Sequence, residues 1–396
     1  MSLIKVNFLG KELDNPFILA SAPPTKDLES IIKGYKAGWA GVITKSICEN
    51  PLTDKTPRIA HIKYKGKIIA SQNYEMGSIH EPEYWVSTVN EVKELYPDKL
   101  LYISLFGSQE VSEWINTARI FKNTKTDGFE LNFSCPHADH EGKGYVIGQK
   151  PDLCSELTRA VKSVLGDDKK IIVKLTNSSY PNEGYIASKC IEAGADGISG
   201  INTIAGLCEI NADTLEPELN TGGMTTYGGM SGEIIRPFAR ASIANICKSI
   251  DYNKHQVSAM GGVSSDNNAM IEYMLLGATT IQVCTEVMNK GYQIINDLIK
   301  NLESYLNRHE TTLSKIKGCG LDSITDWFSL NNIKRISKVD YDKCTKCYTC
   351  LPFCNYDAIT KDEVGIIINE EECDGCGSCV SACNSNALKM IPKSRG

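Results

Sequence analysis

Short apolar runs recur along the first three hundred residues with little alternation between polar and apolar neighbours. They read FILASA at 17–22, GVITKS at 41–46, LYISLF at 101–106 and GFELNFS at 128–134, then IIVKLT at 171–176, GISGIN at 197–202, QVSAMGG at 256–262 and TIQVCT at 280–285. Strands buried on both faces, as in a parallel sheet, have this look, whereas half-exposed strands alternate. Helix-spaced patterns lie between most of them. Examples are YIASKCIEAG at 185–194 and SDNNAMIEYMLLG at 265–277, the second ending on a glycine suited to a helix C-terminus. Eight strands with intervening helices over roughly 300 residues predict a (β/α)8 barrel. A doubly wound sheet uses similar units, but no G-x-G-x-x-G follows the first run, where a dinucleotide fold would need it.

Chemistry in such a barrel gathers at the C-terminal ends of the strands. The residues predicted there form a coherent set. Lys45 ends the second strand, Asn132, Ser134 and Cys135 the fourth, and Lys174 the fifth. Asn202 and Thr203 end the sixth, Gly261 and Gly262 the seventh, and Cys284 and Thr285 the eighth. Paired glycines followed by a hydroxyl on the next strand suit a phosphate cradle, because backbone N–H groups can approach the anion closely. The glycine pair alone would read as a tight turn.

The last 53 residues change the picture, for they hold eight of the chain's 16 cysteines. Residues 344–354 read C-x2-C-x2-C-x3-C, and the same spacing returns at 373–383. In bacterial two-cluster ferredoxins three thiolates of such a run bind one cluster and the fourth binds the other. Cys344, Cys347, Cys350 and Cys383 are therefore assigned to one [4Fe–4S] cluster, and Cys373, Cys376, Cys379 and Cys354 to a second. Zinc also takes paired C-x2-C, but four sulfurs per ion do not call for the third and fourth cysteines at this spacing. The proline that often follows the fourth cysteine is replaced by Asn355 and Asn384. A module of this kind moves single electrons, which implies a partner site elsewhere in the chain that exchanges electrons in pairs. The predicted organisation is a barrel over 1–310, a helical link over 311–335 and a small α+β, ferredoxin-like 2[4Fe–4S] domain over 336–396.

Net charge −6 argues against nucleic acid or an anionic membrane as the main partner. The N-terminal stretch lacks the apolar core of a signal peptide, and no run of about 18 apolar residues is present. The sequence therefore reads as a cytoplasmic protein whose many cysteines serve metal or catalysis.

The strings LNFSCPH at 131–137, SGINTIAGL at 199–207 and TTYGGMSGEIIRP at 225–237 resemble the dihydropyrimidine dehydrogenase branch of the dihydroorotate dehydrogenase superfamily. The resemblance runs through nearly the whole chain and is to the catalytic FMN and iron–sulfur subunit of the bacterial two-subunit type. It implies FMN at the barrel mouth, held by Ala20, Ser21, Lys45, Lys174, Gly232, Gly261, Gly262, Cys284 and Thr285. It implies that Asn132, Ser134, Asn202 and Thr203 hydrogen-bond a flat, amide-rich ring, that Cys135 is the general acid, and that Asn73 in SQNYEMGS (71–78) faces flavin or substrate. A thiol of ordinary pKa, about 8.5, is mostly protonated at neutral pH and can give a proton to one carbon of a C=C bond while hydride reaches the other. Residues 136–149, with Gly142, Gly144 and Gly148 as hinges, read as a lid.

Two departures accompany the resemblance. After the third strand the family carries an asparagine on the pyrimidine amide. Ungapped alignment puts Glu110 there, a shift of one puts Gln109 there, and Glu110 either meets the substrate or points to solvent. The lid has Tyr145, Val146 and Ile147 where small residues are usual. The resulting expectation is reduction of a pyrimidine or related cyclic amide, with electrons from an NAD(P)H-oxidising flavoprotein subunit or a ferredoxin, in a homo-oligomer. Dihydroorotate oxidation and reduction of another activated alkene are the alternatives within the same chemistry. An electron-transfer protein with a dead barrel is the alternative from another class.

Overall fold

The computed structural model describes residues 3–51, 53–136, 144–177, 181–363 and 365–393. The chain divides into two compact units, Met1–Ile324 and Thr325–Gly396.

In the first unit the eight apolar runs are the eight strands of a closed barrel. They are β1 (Phe17–Leu19), β2 (Gly41–Ile43), β3 (Leu100–Leu105), β4 (Gly128–Asn132), β5 (Lys170–Leu175), β6 (Gly197–Gly200), β7 (Val257–Ala259) and β8 (Thr280–Val283). Each pairs in parallel with its neighbours, and β8 closes on β1 through Ile281↔Phe17. Their side chains are buried on both faces, which accounts for the lack of alternation. The helices pack outside through residues such as Trp39, Trp85 and Trp114, all at most 1% exposed.

The helix read into 265–277 begins later, at Ala269, because Asn267 and Ser264 side chains bind the backbone of a preceding turn. It ends in a Schellman closure. Ala278 N–H bonds Tyr273 C=O and Gly277 N–H bonds Met274 C=O, both at 3.0 Å, with Gly277 at φ +100°. A Cβ on Gly277 would lie 2.9 Å from the Cys247 sulfur.

An antiparallel four-stranded sheet is built from Ile59–Tyr64, Lys67–Asn73, Ile204–Gly206 and Gly228–Gly232. Its hairpin turns at Lys65 and Gly66, both at positive φ as a two-residue I′-type loop requires. Residues 313–324 carry a short helix, Leu313–Ile316, and a 3-10 turn. They are tied to the barrel by Gly318 N–H to Met274 O and Gly320 N–H to Leu275 O, with Ile316 and Leu321 in the core.

The second unit is two similar halves. Arg335–Val339 pairs with Leu388–Pro392, and Ile359–Lys361 pairs with Ile366–Ile368. The two cysteine runs share one backbone path. Lys346 and Tyr348 take positive φ where Gly375 and Gly377 do so in the second run, and Asp357 matches Asn386 three residues after each fourth cysteine.

Candidate active site

A cavity of about 600 Å³ opens at the C-terminal ends of the barrel strands, within the size range of small-molecule sites. All nine residues expected to hold FMN line it: Ala20, Ser21, Lys45, Lys174, Gly232, Gly261, Gly262, Cys284 and Thr285. Asn73, Asn132, Cys135, Asn202 and Thr203 line it as well.

The barrel interior beneath the cavity is polar. Glu130 on β4 is fully buried and accepts from Ser199 Oγ at 2.8 Å and from Gln282 Nε2 at 3.2 Å. Its Oε1 has no hydrogen bond but lies 3.7 Å from Lys174 Nζ. Lys174 is 3% exposed, so its charge needs a counterion, and Glu130 is positioned to supply it. At 3.7 Å the ammonium keeps donors free for an acceptor in the cavity. Gln282 Oε1, also at the cavity, has no hydrogen-bond partner. The glycines at 232, 261 and 262 all sit at positive φ. A Cβ at 262 would come within 2.6 Å of Gly232 O, so backbone lies close on that side. Unspent donors beneath and bare backbone alongside fit a flat ring system carrying a phosphate.

Asn132, Ser134 and Asn202 form one hydrogen-bonded group. Asn132 Oδ1 accepts from Ser134 Oγ at 2.8 Å and from Asn202 Nδ2 at 3.4 Å, while Asn202 Nδ2 also donates to Ser134 Oγ at 3.1 Å. Ser134 is fully buried and does not line the cavity. Its hydroxyl orients the two asparagines. Asn132 Nδ2 donates to Ser46 Oγ at 2.9 Å, which links it through Ser46 to Ser21 and Ser104. Thr203 has its N–H on Asn202 Oδ1 at 2.8 Å.

Cys135 is 8% exposed, faces the cavity and packs with Cys48 and Phe106. Its carbonyl accepts from Tyr145 N–H at 2.9 Å, where the loop returns through a 3-10 turn at Gly144–Gln149. Gly144 is at φ +67°, and a Cβ there would collide with Cys135 O. The centre of the expected lid, including His137, His140 and Gly142, lies outside the described residues.

Glu110 is exposed at the start of the helix Val111–Phe121, outside the cavity lining, and Gln109 accepts from Lys150 Nζ on the surface. The expectation of a substrate contact from Glu110 is therefore corrected, because the chain turns outward after Phe106 and only that ring reaches the cavity.

Sequence reading missed the acidic residue that does sit there. Glu75 accepts from Lys45 Nζ and from Arg58 Nε, each at 2.5 Å, with its side chain 10% exposed. Burial alone would raise its pKa, but the Lys45 and Arg58 charges outweigh that and hold it below the ordinary value. The signal was the hairpin: alternation through IAHIKY and KIIASQN about a lysine–glycine turn brings Arg58 and Glu75 to the same end of one sheet. Cys284 is a protonated wall residue, its thiol pushed up to about 12 by burial.

In the second unit a small cavity is lined jointly by Cys354, Cys373, Cys376 and Cys379, the four assigned together from spacing. Cys344, Cys350 and Cys383 pack into one cluster with Ile359, Ile366 and Leu388, a cluster that Cys354 and Cys379 also join. Thiolates from both runs brought side by side are what cubane clusters need.

The dihydroorotate dehydrogenase family model matches residues 3–306, and the 4Fe-4S dicluster domain model matches 343–388. The chain belongs to the dihydroorotate dehydrogenase family and is an oxidoreductase acting on CH–CH groups, with FMN and iron–sulfur as its cofactors. It is 31% identical over 360 residues to the NAD-dependent dihydropyrimidine dehydrogenase subunit PreA of Escherichia coli (strain K12), covering 89% of this chain and 85% of that one. It is 30% identical to the chloroplastic dihydropyrimidine dehydrogenase (NADP(+)) of Arabidopsis thaliana over 81% of this chain and 78% of that one. The catalytic subunit of dihydroorotate dehydrogenase B (NAD(+)) of Pyrococcus abyssi (strain GE5 / Orsay) is 32% identical over 77% of this chain and 94% of its own length. Among the described residues no helix is long and apolar enough to cross a membrane.

Proposed function

We propose that this chain reduces the ring C=C bond of a pyrimidine, uracil or thymine, or of a closely related cyclic amide, in the cytoplasm. The observation that carries the reading is the convergence of Cys135 with Asn73, Asn132, Asn202 and Thr203 on the cavity that Lys45 and Lys174 also line. Bound FMN supplies the hydride. Asn132 and Asn202 are fixed by Ser134, and Asn132 Nδ2, which donates once to Ser46, keeps an N–H that can bond a ring carbonyl. Cys135 gives its proton to the ring carbon next to the one that takes the hydride.

The two thiolate sets of residues 344–383 would hold two [4Fe–4S] clusters, which would supply single-electron transfer from an NAD(P)H-oxidising flavoprotein subunit or a ferredoxin. The assembly is a homo-oligomer or a complex with that subunit. The relationship to the Escherichia coli subunit over 89% of this chain supports this arrangement.

Dihydroorotate oxidation is the second reading, and the 32% identity with the Pyrococcus abyssi subunit favours it. Against it stands the match to the Escherichia coli dihydropyrimidine dehydrogenase subunit, which covers more of this chain, 89% against 77%. Anaerobic reduction followed by addition of ring compounds separates the two. Reoxidation of the flavin by uracil or thymine supports the first, and flavin reduction by dihydroorotate supports the second. Silence with both leaves another activated alkene. Cys135→Ala is expected to slow reoxidation by about 10²–10⁴-fold while FMN stays bound.

A further inference from the structure

Ser337 is the one polar side chain fully buried among the described residues of the second unit, at 3% exposure. A buried hydroxyl needs a partner, and its partners are cysteine sulfurs. Ser337 Oγ lies 3.4 Å from Cys379 Sγ, and Ser337 N–H points at Cys373 Sγ at 3.5 Å. A single strand residue outside both cysteine runs therefore touches two thiols of the set Cys354, Cys373, Cys376 and Cys379. When these thiols are ligands they are thiolates and the hydroxyl must be the donor.

The internal repeat makes the asymmetry plain. Ser337 precedes Cys344 by seven residues, and the residue seven before Cys373 is Ile366. Ile366 is 2% exposed and packs with Cys344, Cys350 and Cys383. Where one thiolate set meets a buried hydroxyl, the other meets an aliphatic side chain. Hydroxyls also lie near ligand sulfurs at Thr345 and Thr349 beside Cys347, Ser378 beside Cys376 and Ser385 beside Cys383. All four are at least partly exposed, so water can take their place. At Ser337 it cannot.

We propose that Ser337 is a positioning residue that sets the two clusters apart in potential. It raises that of the cluster on Cys354, Cys373, Cys376 and Cys379, which then takes the first electron. One-electron reduction adds a negative charge shared by the sulfurs, with no bond made or broken. A backbone N–H reaches a sulfur in each set, Ser337 N–H at Cys373 and Ala387 N–H at Cys383, so the difference is the Ser337 hydroxyl at Cys379, whose donation stabilises the reduced state more than the oxidised one. The proposal rests on the two-cluster reading.

The test is a dithionite redox titration of the full holoprotein followed by electron paramagnetic resonance. Unmodified protein is expected to hold about eight irons per chain and to show two one-electron waves; about half that iron would sink the two-cluster reading itself, and full iron with a single wave would overturn the proposal. With two present, Ser337→Ala is expected to move the higher wave down towards the lower one and leave the lower in place. Thr349→Ala should move neither. Both waves unmoved in Ser337→Ala, or movement of the lower wave alone, overturns the proposal. Ser337→Thr and Ser337→Val share a shape and differ in the hydroxyl. If Ser337→Ala fails to hold iron, retention by Thr with loss by Val supports the role of the hydroxyl, and loss by both overturns it.

Discussion

The two units are held together by different means. Residues 3–324 bury a continuous aliphatic and aromatic core in which side chains from Phe17 to Leu306 are fully covered. Of the charged groups buried there, Lys45 pairs with Glu75 and Lys174 with Glu130, while Glu183 is buried against the Ser242 hydroxyl with no cation beside it among the described residues. Residues 325–393 have little to set against this. The buried apolar side chains among their described residues are Ile336, Ala358, Ile359, Ile366, Ala387 and Leu388, joined by Cys350, Cys373 and Cys379. A unit of that size with so small a core needs an additional cross-link, and metal–thiolate bonds are the one its residues offer. The barrel therefore provides a rigid site for the cofactor, whereas the small unit depends on its cofactors to be folded at all.

The strongest way to break that comparison is to remove the iron. Chelation under reducing conditions is expected to unfold residues 325–396 and leave the barrel folded, so limited proteolysis should yield a resistant fragment ending near residue 324. Protection of the small unit without iron would show that its own packing suffices.

Within the barrel, the largest single effect is expected at the buried ion pair. Glu75→Gln leaves Lys45 uncompensated and should cost about 3–5 kcal/mol of stability at neutral pH. The pH dependence has a definite sign. The Glu75 carboxyl is held below its ordinary value of 4.5, so its contribution is complete above that pH and is lost as pH falls through the lower folded value. Unfolding curves of the two proteins should converge in acid, and a pH-independent gap would mean that packing and not charge is responsible.

A smaller loss is expected from Gly277→Ala. The position is left-handed and closed by the Cys247 sulfur, so the variant should lower the barrel transition by more than about 1 kcal/mol. Chemical denaturation followed by circular dichroism would measure it, with no change in iron content. The smallest effect belongs to Glu110→Gln. An exposed side chain away from the cavity should alter stability by no more than about 0.5 kcal/mol and leave turnover unchanged. A clear change in KM would return Glu110 to the substrate.

What could be read without coordinates followed how local each feature is. The cysteine runs are local, because ligand spacing along a few residues is itself the chemistry. The sequence alone was enough to group Cys354 with Cys373, Cys376 and Cys379. The eight strands were legible because burial on both faces leaves unbroken apolar runs, and strand ends in a barrel point to one face. Lys45, Asn132, Cys135, Lys174 and Asn202 could thus be named from strand position, together with the resemblance.

Only the tertiary structure decided the rest. Ser134 and Asn132 are two residues apart on one strand end, yet one faces the cavity and the other stands behind it. Glu110 leaves the site because the chain turns outward after Phe106. Glu75 enters because a hairpin outside the barrel carries it to Lys45, and Ser337 meets Cys373 and Cys379 through a strand 36 and 42 residues away. In each case the outcome depends on which way a side chain points after long-range pairing, which neither composition nor spacing encodes.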